Sequence, residues 1–341
     1  MAVTRRSMIG AGFIGLSAAL AGCSRQPEPP GPMLPDFTPD PSASGSATPS
    51  AQPSATPTPT PTASSVDPLP VGVVNALVFG TDSRDPKSLT GNADAILVAQ
   101  LSADREKLTL VSIARDSYVD FAGGGKGKIN AAFSGGGTER LRNTVSDLMG
   151  GLPIHMVAQN NFNNFIAITR WLGGIRVKNK NATRTRVIST GRVVEFEEGD
   201  ILLENTDALI YGRERKTMPL GDLDRAERHR ALITGLLRGL QAIAVERPDE
   251  FEVMAQNVVN NAKVTDFDPA LVGDLADPLK KINLDAVTSL MVPISRFGTV
   301  GQASVCIVNE PRTRELAEAL NSGDVSGYVA KYGEGYALTG G

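Results

Sequence analysis

Val73-Val74-Asn75-Ala76-Leu77-Val78-Phe79, Ala95-Ile96-Leu97-Val98-Ala99-Gln100-Leu101 and Leu108-Thr109-Leu110-Val111-Ser112-Ile113 are short runs rich in Val, Ile and Leu. Such runs, bounded by turn-forming residues, predict strands. Beyond them the apolar spacing becomes helical. Thr138–Met149 predicts a helix that starts on a capping Thr138 and stops at Gly150-Gly151. His155–Gln159 predicts a strand, Asn163–Leu172 a helix ended by Gly173-Gly174, and Ile175-Arg176-Val177 another strand. Residues 206–213 predict a helix capped near Asn205 or Thr206, and Asp224–Ala244 the longest helix, capped by Asp222 or Asp224. Ser289–Val292 and Val305–Val308 read as strands and Arg312–Leu320 as a helix. Strands and helices mix without a repeat, which favours one α/β domain with a mixed sheet between helical layers. No Pro-rich or Gly/Ser-rich break divides residues 71–325, so they are expected to fold together, with residues 326–341 as a C-terminal tail.

The N-terminal side has a different texture. Residues 4–22 read TRRSMIGAGFIGLSAALAG: two arginines, then an apolar run of small residues. The run is short for a membrane span, which takes about 20 apolar residues, and suits an export signal over residues 1–22. Arg5-Arg6 admits either twin-arginine export or ordinary secretion. Leu20-Ala21-Gly22-Cys23 resembles a bacterial lipobox, which implies cleavage before Cys23 and lipidation of its thiol. The expectation is a protein held at the extracytoplasmic face of the cell membrane by that lipid. From there to residue 70 the chain is mostly Pro, Ser, Thr and Ala, with the alternation Thr56-Pro57-Thr58-Pro59-Thr60-Pro61. Such a stretch buries too little apolar area to offset chain entropy, so residues 23–70 read as a lipidated cysteine followed by a disordered spacer.

Composition narrows the chemistry. Of 341 residues, 41% are hydrophobic and 21% charged, with a formal net charge of -3, so the basic excess of a nucleic-acid binder is missing. Two cysteines and two histidines are too few for a thiolate or His-rich zinc site. A metal, if used, would be a hard cation held by carboxylates. Cys306, inside Ser304-Val305-Cys306-Ile307-Val308, reads as a buried, inert thiol.

Two carboxylates are placed for such a cation. Asp82 follows the first strand and Asp94 precedes the second, so pairing of these strands brings both to one end of the sheet. There they can hold Mg2+ beside phosphate oxygens; equally, both can be ordinary turn residues. Cations gather in the same segments: Arg84, Arg115, the pair Arg213 and Arg215, then Arg225 and Arg228 with His229 one turn after Arg225. The guanidinium fork suits phosphate oxygens, and a helix N-terminus adds its positive end. The competing reading pairs these arginines with Asp116, Glu214 and Glu227 on the surface. Arg213 and Arg215 would diverge by about 200° on a continuing helix. For both to face one pocket, the helix from residue 206 must end near Tyr211 or Gly212.

These residues carry a resemblance. Gly80-Thr81-Asp82-Ser83-Arg84, Asp94, Val111-Ser112-Ile113-Ala114-Arg115-Asp116 and Lys128-Ile129-Asn130-Ala131-Ala132-Phe133 look like successive blocks of the LytR-CpsA-Psr family. So do Asn161-Phe162 through Val177, Ala208 through Arg215, and Gly221 through His229. The family implies an α-β-α sandwich whose core takes a polyprenyl tail. It also implies Mg2+ on Asp82 and Asp94, and pyrophosphate contacts from Arg84, Arg115, Arg213, Arg215, Arg225 and the position of His229. The implied activity is transfer of a polyprenyl-pyrophosphate-linked glycopolymer to a peptidoglycan acceptor. Asp116 and Asp222 are candidates for taking the acceptor proton, beside Arg115. A non-catalytic binder of the same lipid or wall polymer, or a pyrophosphate hydrolase, would use the same residues. Departures from the family are Asn92 in place of an arginine, Ala95 of a threonine, Ala114 of a proline and His229 of a glutamine, with a lipobox replacing the membrane helix.

Overall fold

The computed structural model describes residues 67–81, 83, 88–188 and 190–340. The signal, Cys23 and the spacer up to residue 66 lie outside them, as do Asp82 and Arg84. In chain order the first elements are β1 (Val74–Thr81), β2 (Ala93–Leu101), β3 (Leu108–Ile113), β4 (Ser117–Asp120), β5 (Lys126–Lys128) and α1 (Asn130–Leu148). Then come β6 (Met156–Asn161), α2 (Phe162–Trp171), β7 (Ile175–Asn179), β8 (Thr183–Arg186), β9 (Val193–Phe196), β10 (Gly199–Leu203) and α3 (Thr206–Arg213). The chain continues through α4 (Asp222–Glu246), α5 (Pro248–Asn260), β11 (Lys263–Thr265), α6 (Ala276–Lys281), β12 (Thr288–Met291), β13 (Ile294–Val300), β14 (Ala303–Val308), α7 (Glu310–Ser322) and α8 (Ser326–Tyr332).

The expected mixed sheet is present as β11-β6-β1-β2-β3-β12. β1, β2 and β3 run antiparallel in turn, while β6 joins β1 and β12 joins β3 in parallel. Side chains alternate across a strand, so each strand feeds two cores. Leu77, Phe79, Ile96 and Val98 pack with Leu141 and Val145 of α1, Leu316 and Leu320 of α7, and Tyr328 of α8. Leu97, Leu108 and Leu110 face the other way, onto Leu240 and Ile243 of α4, Phe251 of α5 and Leu279 of α6. The result is the α-β-α sandwich. A second sheet, β13-β14-β4-β5, and two hairpin-like pairs, β7/β10 and β8/β9, flank it.

The helix expected from Thr138 is present as the second part of α1; Gly137, at φ 71° and ψ -166°, breaks the path between it and a shorter stretch that starts at Asn130. Two other sequence expectations need correction. The long helix is not capped by Asp222 or Asp224: its N-cap is Gly221, without a side-chain cap bond, and both aspartates lie in the first turn. Residues beyond 325 are not a loose tail. α8 buries Tyr328 in the core, and the following segment hydrogen-bonds the domain through Glu334, Tyr336 and Thr339.

Candidate functional site

The site lies at the end of the main sheet where β1 and β3 finish and β2 begins. Gly80 is opposite Ala95 and Thr81 opposite Ala93, so Asp94 is the extra residue of a β-bulge. A bulge turns its residue out of the regular alternation, and here it aims a carboxylate off the sheet end. β3 ends in a turn closed by the Ser117 N–H on the Ala114 carbonyl, which leaves Arg115 and Asp116 at the corner. Arg115 Nη1 donates to Asp94 Oδ1 at 2.7 Å.

α3 and α4 bring the other cations. α3 runs one or two residues past the expected end, through Arg213, and breaks at Glu214, whose ψ is 134°. Glu214 Oε1 accepts the backbone N–H groups of Arg215, Lys216 and Thr217 at 2.8, 2.7 and 3.2 Å. The Thr185 hydroxyl donates to its other oxygen. Glu214 therefore fixes the loop that presents Arg215, and is not a surface partner for its neighbours. In the first turn of α4, Asp222 is the hub: Arg225 Nη2 lies 3.0 Å from its Oδ1, Arg215 Nη1 3.6 Å from Oδ1, and Arg115 Nε 3.6 Å from Oδ2. Arg225 also donates to the Asp94 backbone carbonyl at 3.3 Å, so α4 is tied to the bulge.

Gly80, Asp94, Ala95, Arg115, Gly212, Arg213, Arg215, Arg225 and His229 line one cavity of about 160 Å³. The small residues keep it open: Gly80 and Ala95 face each other across β1 and β2. A Cβ on Gly212 would come within 2.9 Å of Leu232, so glycine lets α3 approach α4. Among the described residues, the buried nitrogens Arg115 Nε and Arg225 Nε have no hydrogen-bond partner. Buried donors without partners are costly, and these two arginines are held chiefly by their ion pairs to Asp94 and Asp222.

The charges hold one another. Burial lowers the affinity of the Arg115 guanidinium for its proton, but the hydrogen bond to Asp94 and the charges of Asp222 and Asp116 outweigh it and raise its pKa. Burial pushes the pKa of Arg225 down, against the attraction of Asp222. His229 is pushed down to about 3, by burial first and then by Arg225. Its Nε2 lies 2.8 Å from the Gly212 carbonyl, which can only accept, so Nε2 carries the hydrogen of a neutral ring and Nδ1 keeps the lone pair.

Of the expected site residues, Asp94, Arg115, Arg213, Arg215, Arg225 and His229 share the cavity wall, and Asp222 stands directly behind them. Asp116 is at the edge, 3.9 Å from Arg115 Nε and 2.8 Å from Lys128 Nζ. Arg228 points away. It is buried under the smaller strands, where its guanidinium reaches Thr183 Oγ1 at 2.8 Å and the Asn181 carbonyl at 3.0 Å over the ring of Tyr211. Glu227, its expected surface partner, instead holds Lys180 at 3.5 Å. Sequence reasoning did not single out Lys128 for the site; its signal was its place at the head of the block Lys128-Ile129-Asn130-Ala131-Ala132-Phe133. Cys306 is buried beside the site, and burial raises its thiol to about 12, as an inert thiol requires.

An α-β-α sandwich with a guanidinium-lined cavity at the end of its central sheet defines a protein built to take an anionic group. The sequence model of the LytR_cpsA_psr family matches residues 43–322, and the chain belongs to that family. It is 31% identical over 214 residues to the polyisoprenyl-teichoic acid–peptidoglycan teichoic acid transferase TagU of Enterococcus faecalis, a match covering 62% of this chain and 65% of the relative. The TagU of Bacillus subtilis is 31% identical over 190 residues, covering 55% and 59%. The chain thus spans somewhat less than two thirds of these relatives. In structure it is similar to B. subtilis TagV, with a TM-score of 0.65 at 21% identity over 75% of this chain and 98% of that one.

Proposed function

We propose that the chain is a magnesium-dependent phosphotransferase that moves a glycopolymer from a polyprenyl-pyrophosphate carrier to a peptidoglycan hydroxyl at the outer face of the membrane, held there through Cys23. The observation that carries this reading is the convergence of Arg115, Arg213, Arg215 and Arg225 with Asp94 on one cavity. The E. faecalis and B. subtilis relatives, named for the same kind of transfer, support the reaction class.

The donor's two ends find matching surroundings. Its pyrophosphate fits the cavity wall formed by Arg115, Arg213, Arg215 and Arg225. Its tail fits the sheet face below the cavity. There Ala76, Val78, Ala99, Met156 and Ala158 are only partly covered, as are Ile233, Leu237, Met254 and Val258 opposite them.

A hard cation suits the carboxylate of Asp94 at the end of the sheet, one of whose oxygens is paired with Arg115, and no thiolate lines the cavity wall among the described residues. Asp94 would hold Mg2+ together with Asp82. When bound, the ion supplies charge neutralisation to the phosphate oxygens. The acceptor hydroxyl oxygen bonds to the phosphorus next to the sugar as the bond from that phosphorus to the bridging oxygen breaks. Polyprenyl phosphate leaves with the bridging oxygen, and the hydroxyl proton passes to a carboxylate. Asp222 and Asp116 are the two candidates: Asp222 is ion-paired to Arg225 at 3.0 Å behind the cavity wall, and Asp116 to Lys128 at 2.8 Å at its edge. The arginines stabilise the charge that gathers on the departing phosphate.

The test is turnover of a short polyprenyl-pyrophosphoryl sugar with peptidoglycan fragments. Sugar-phosphate should appear on the peptidoglycan, EDTA should stop the reaction and Mg2+ restore it, and Asp94→Asn should abolish most of it. Release of free sugar-phosphate into water would identify a hydrolase. Tight binding without either product would identify a binder.

A further inference from the structure

The start of α4 has given its usual stabilisers to the site. Gly221 supplies no cap, at φ 54°, and Asp222 is turned to three arginines. What fixes this turn comes from the far end of the chain. Asp224 is 4% exposed, and its Oδ2 accepts the Leu220 N–H at 2.6 Å, closing the loop in front of the helix. Its Oδ1 accepts the Tyr336 hydroxyl at 2.8 Å. The Tyr336 ring packs against the cluster of Ala114, Leu223 and Ala226, the immediate neighbours of Arg115 and Arg225. Around it, Lys180 Nζ and the Arg230 guanidinium lie 5.8 and 5.7 Å from the ring centre.

The segment bearing Tyr336 is itself clasped. Glu334 Oε2 accepts the Ser289 N–H at 2.8 Å. Thr339 N–H donates to the Ile294 carbonyl at 2.9 Å and Gly340 N–H to the Ser295 carbonyl at 3.2 Å. The family match ends at residue 322, so this strap lies beyond it.

We infer that residues 333–340 form the rear support of the cavity, with Tyr336 as a positioning residue that acts through Asp224 to hold the turn carrying Asp222 and Arg225. The inference rests on the reading of the cavity as a pyrophosphate site. A turn held from behind keeps the Arg225 fork aligned with the developing charge. Small losses of alignment cost rate more than affinity.

The experiment compares full-length wild type, Tyr336→Phe, Asp224→Asn and the double variant in the transfer assay, with thermal unfolding and calorimetric binding of Mg2+-pyrophosphate in parallel. Tyr336→Phe keeps the ring and loses only the hydroxyl. It should lower kcat about tenfold, with KM and pyrophosphate affinity changed less than threefold and the melting temperature nearly unmoved. The double variant should be no slower than Asp224→Asn alone, because both changes cut one connection. Wild-type kcat in Tyr336→Phe overturns the inference, as does additive loss in the double variant. A wild type that neither binds pyrophosphate nor turns over removes the site itself, and is told apart because all four proteins then behave alike.

Discussion

Arg225 and Arg228 stand three positions apart on one helix, and their surroundings set them different tasks. Arg225 meets Asp222 and the Asp94 carbonyl at the cavity, whereas Arg228 is buried among Thr183, Asn181 and Tyr211. Lysine keeps the charge and loses the fork, so it should harm each in its own way. Arg225→Lys should lower kcat/KM roughly 10- to 100-fold with little change in melting temperature. Affinity lost together with turnover would place the contact in the ground state, and turnover lost alone would place it in the transition state. Arg228→Lys should destabilise the fold by about 2–4 kcal/mol, read by urea unfolding, since buried hydrogen bonds lose their donors. The sequence offered both residues as candidates, because helical spacing cannot say which of two long side chains turns to which neighbour. His229 gives a pH test. Its folded pKa of about 3 lies below the ordinary 6.5, so the unfolded chain binds the extra proton. Its neutral ring contributes stability above pH 6.5, which is lost as pH falls toward 3, at no more than about 1.4 kcal/mol per pH unit. Between pH 6.5 and 5 the melting temperature of wild type should drop more than that of His229→Gln; parallel curves would exclude the ring as the source.

At the scale of elements, what was legible followed burial. Leu108–Ile113 is buried at every position and reads as a strand from its run alone. β13, ISRFGTV, was missed because Arg296, Phe297, Thr299 and Val300 are all exposed, so its pattern has no consistent apolar face. α8 was missed because only Tyr328 among its seven residues is buried and Gly327 weakens the helical signal. The site followed a different rule. Asp94 and the loop arginines were visible as residue types in order, but the bulge that aims Asp94 depends on pairing between strands, which no local pattern encodes. One contact shows how tightly elements position the site. Gly235 of α4 lies so close to β7 that an added Cβ would sit 2.6 Å from the Arg176 carbonyl oxygen. Backbone cannot yield as a side chain tip does, so Gly235→Ala should push α4 away from β7. Despite alanine's better helix propensity, it should cost about 1–3 kcal/mol, seen as a lower urea midpoint. An unchanged midpoint would mean that α4 is held less rigidly than its contacts imply.

Across the whole molecule, the folded domain is entered at the end of the sheet remote from the cavity. Arg105, in the β2–β3 turn, is 4% exposed and bonds Asp67 Oδ2 at 2.8 Å, the Pro70 carbonyl at 2.7 Å and the Gly72 carbonyl at 2.7 Å. This clamp fixes the incoming chain just before β1, whose other end carries the site. Eight residues of strand at about 3.3 Å each separate the two, on the order of 25 Å. With Cys23 lipidated, a short tether would hold the wrong end of the sheet against the membrane and lift the cavity away from a carrier whose pyrophosphate sits at the lipid surface. If the anchor proposed above holds, length would resolve this: an extended chain of Pro-rich composition reaches about 3 Å per residue, so a spacer of some forty residues would give the domain room to turn over. Deleting residues 31–60 should therefore leave the detergent-solubilised protein with its kcat on a short, soluble donor within about twofold. The same deletion should strongly reduce attachment of polymer to the wall in cells, measured as polymer released by digestion of purified peptidoglycan. Replacing the deleted stretch with an unrelated Pro/Thr sequence of equal length should restore attachment, because reach is the property at stake. Loss of soluble turnover in the deletion, or failure of the replacement, would show that the spacer contributes something other than distance.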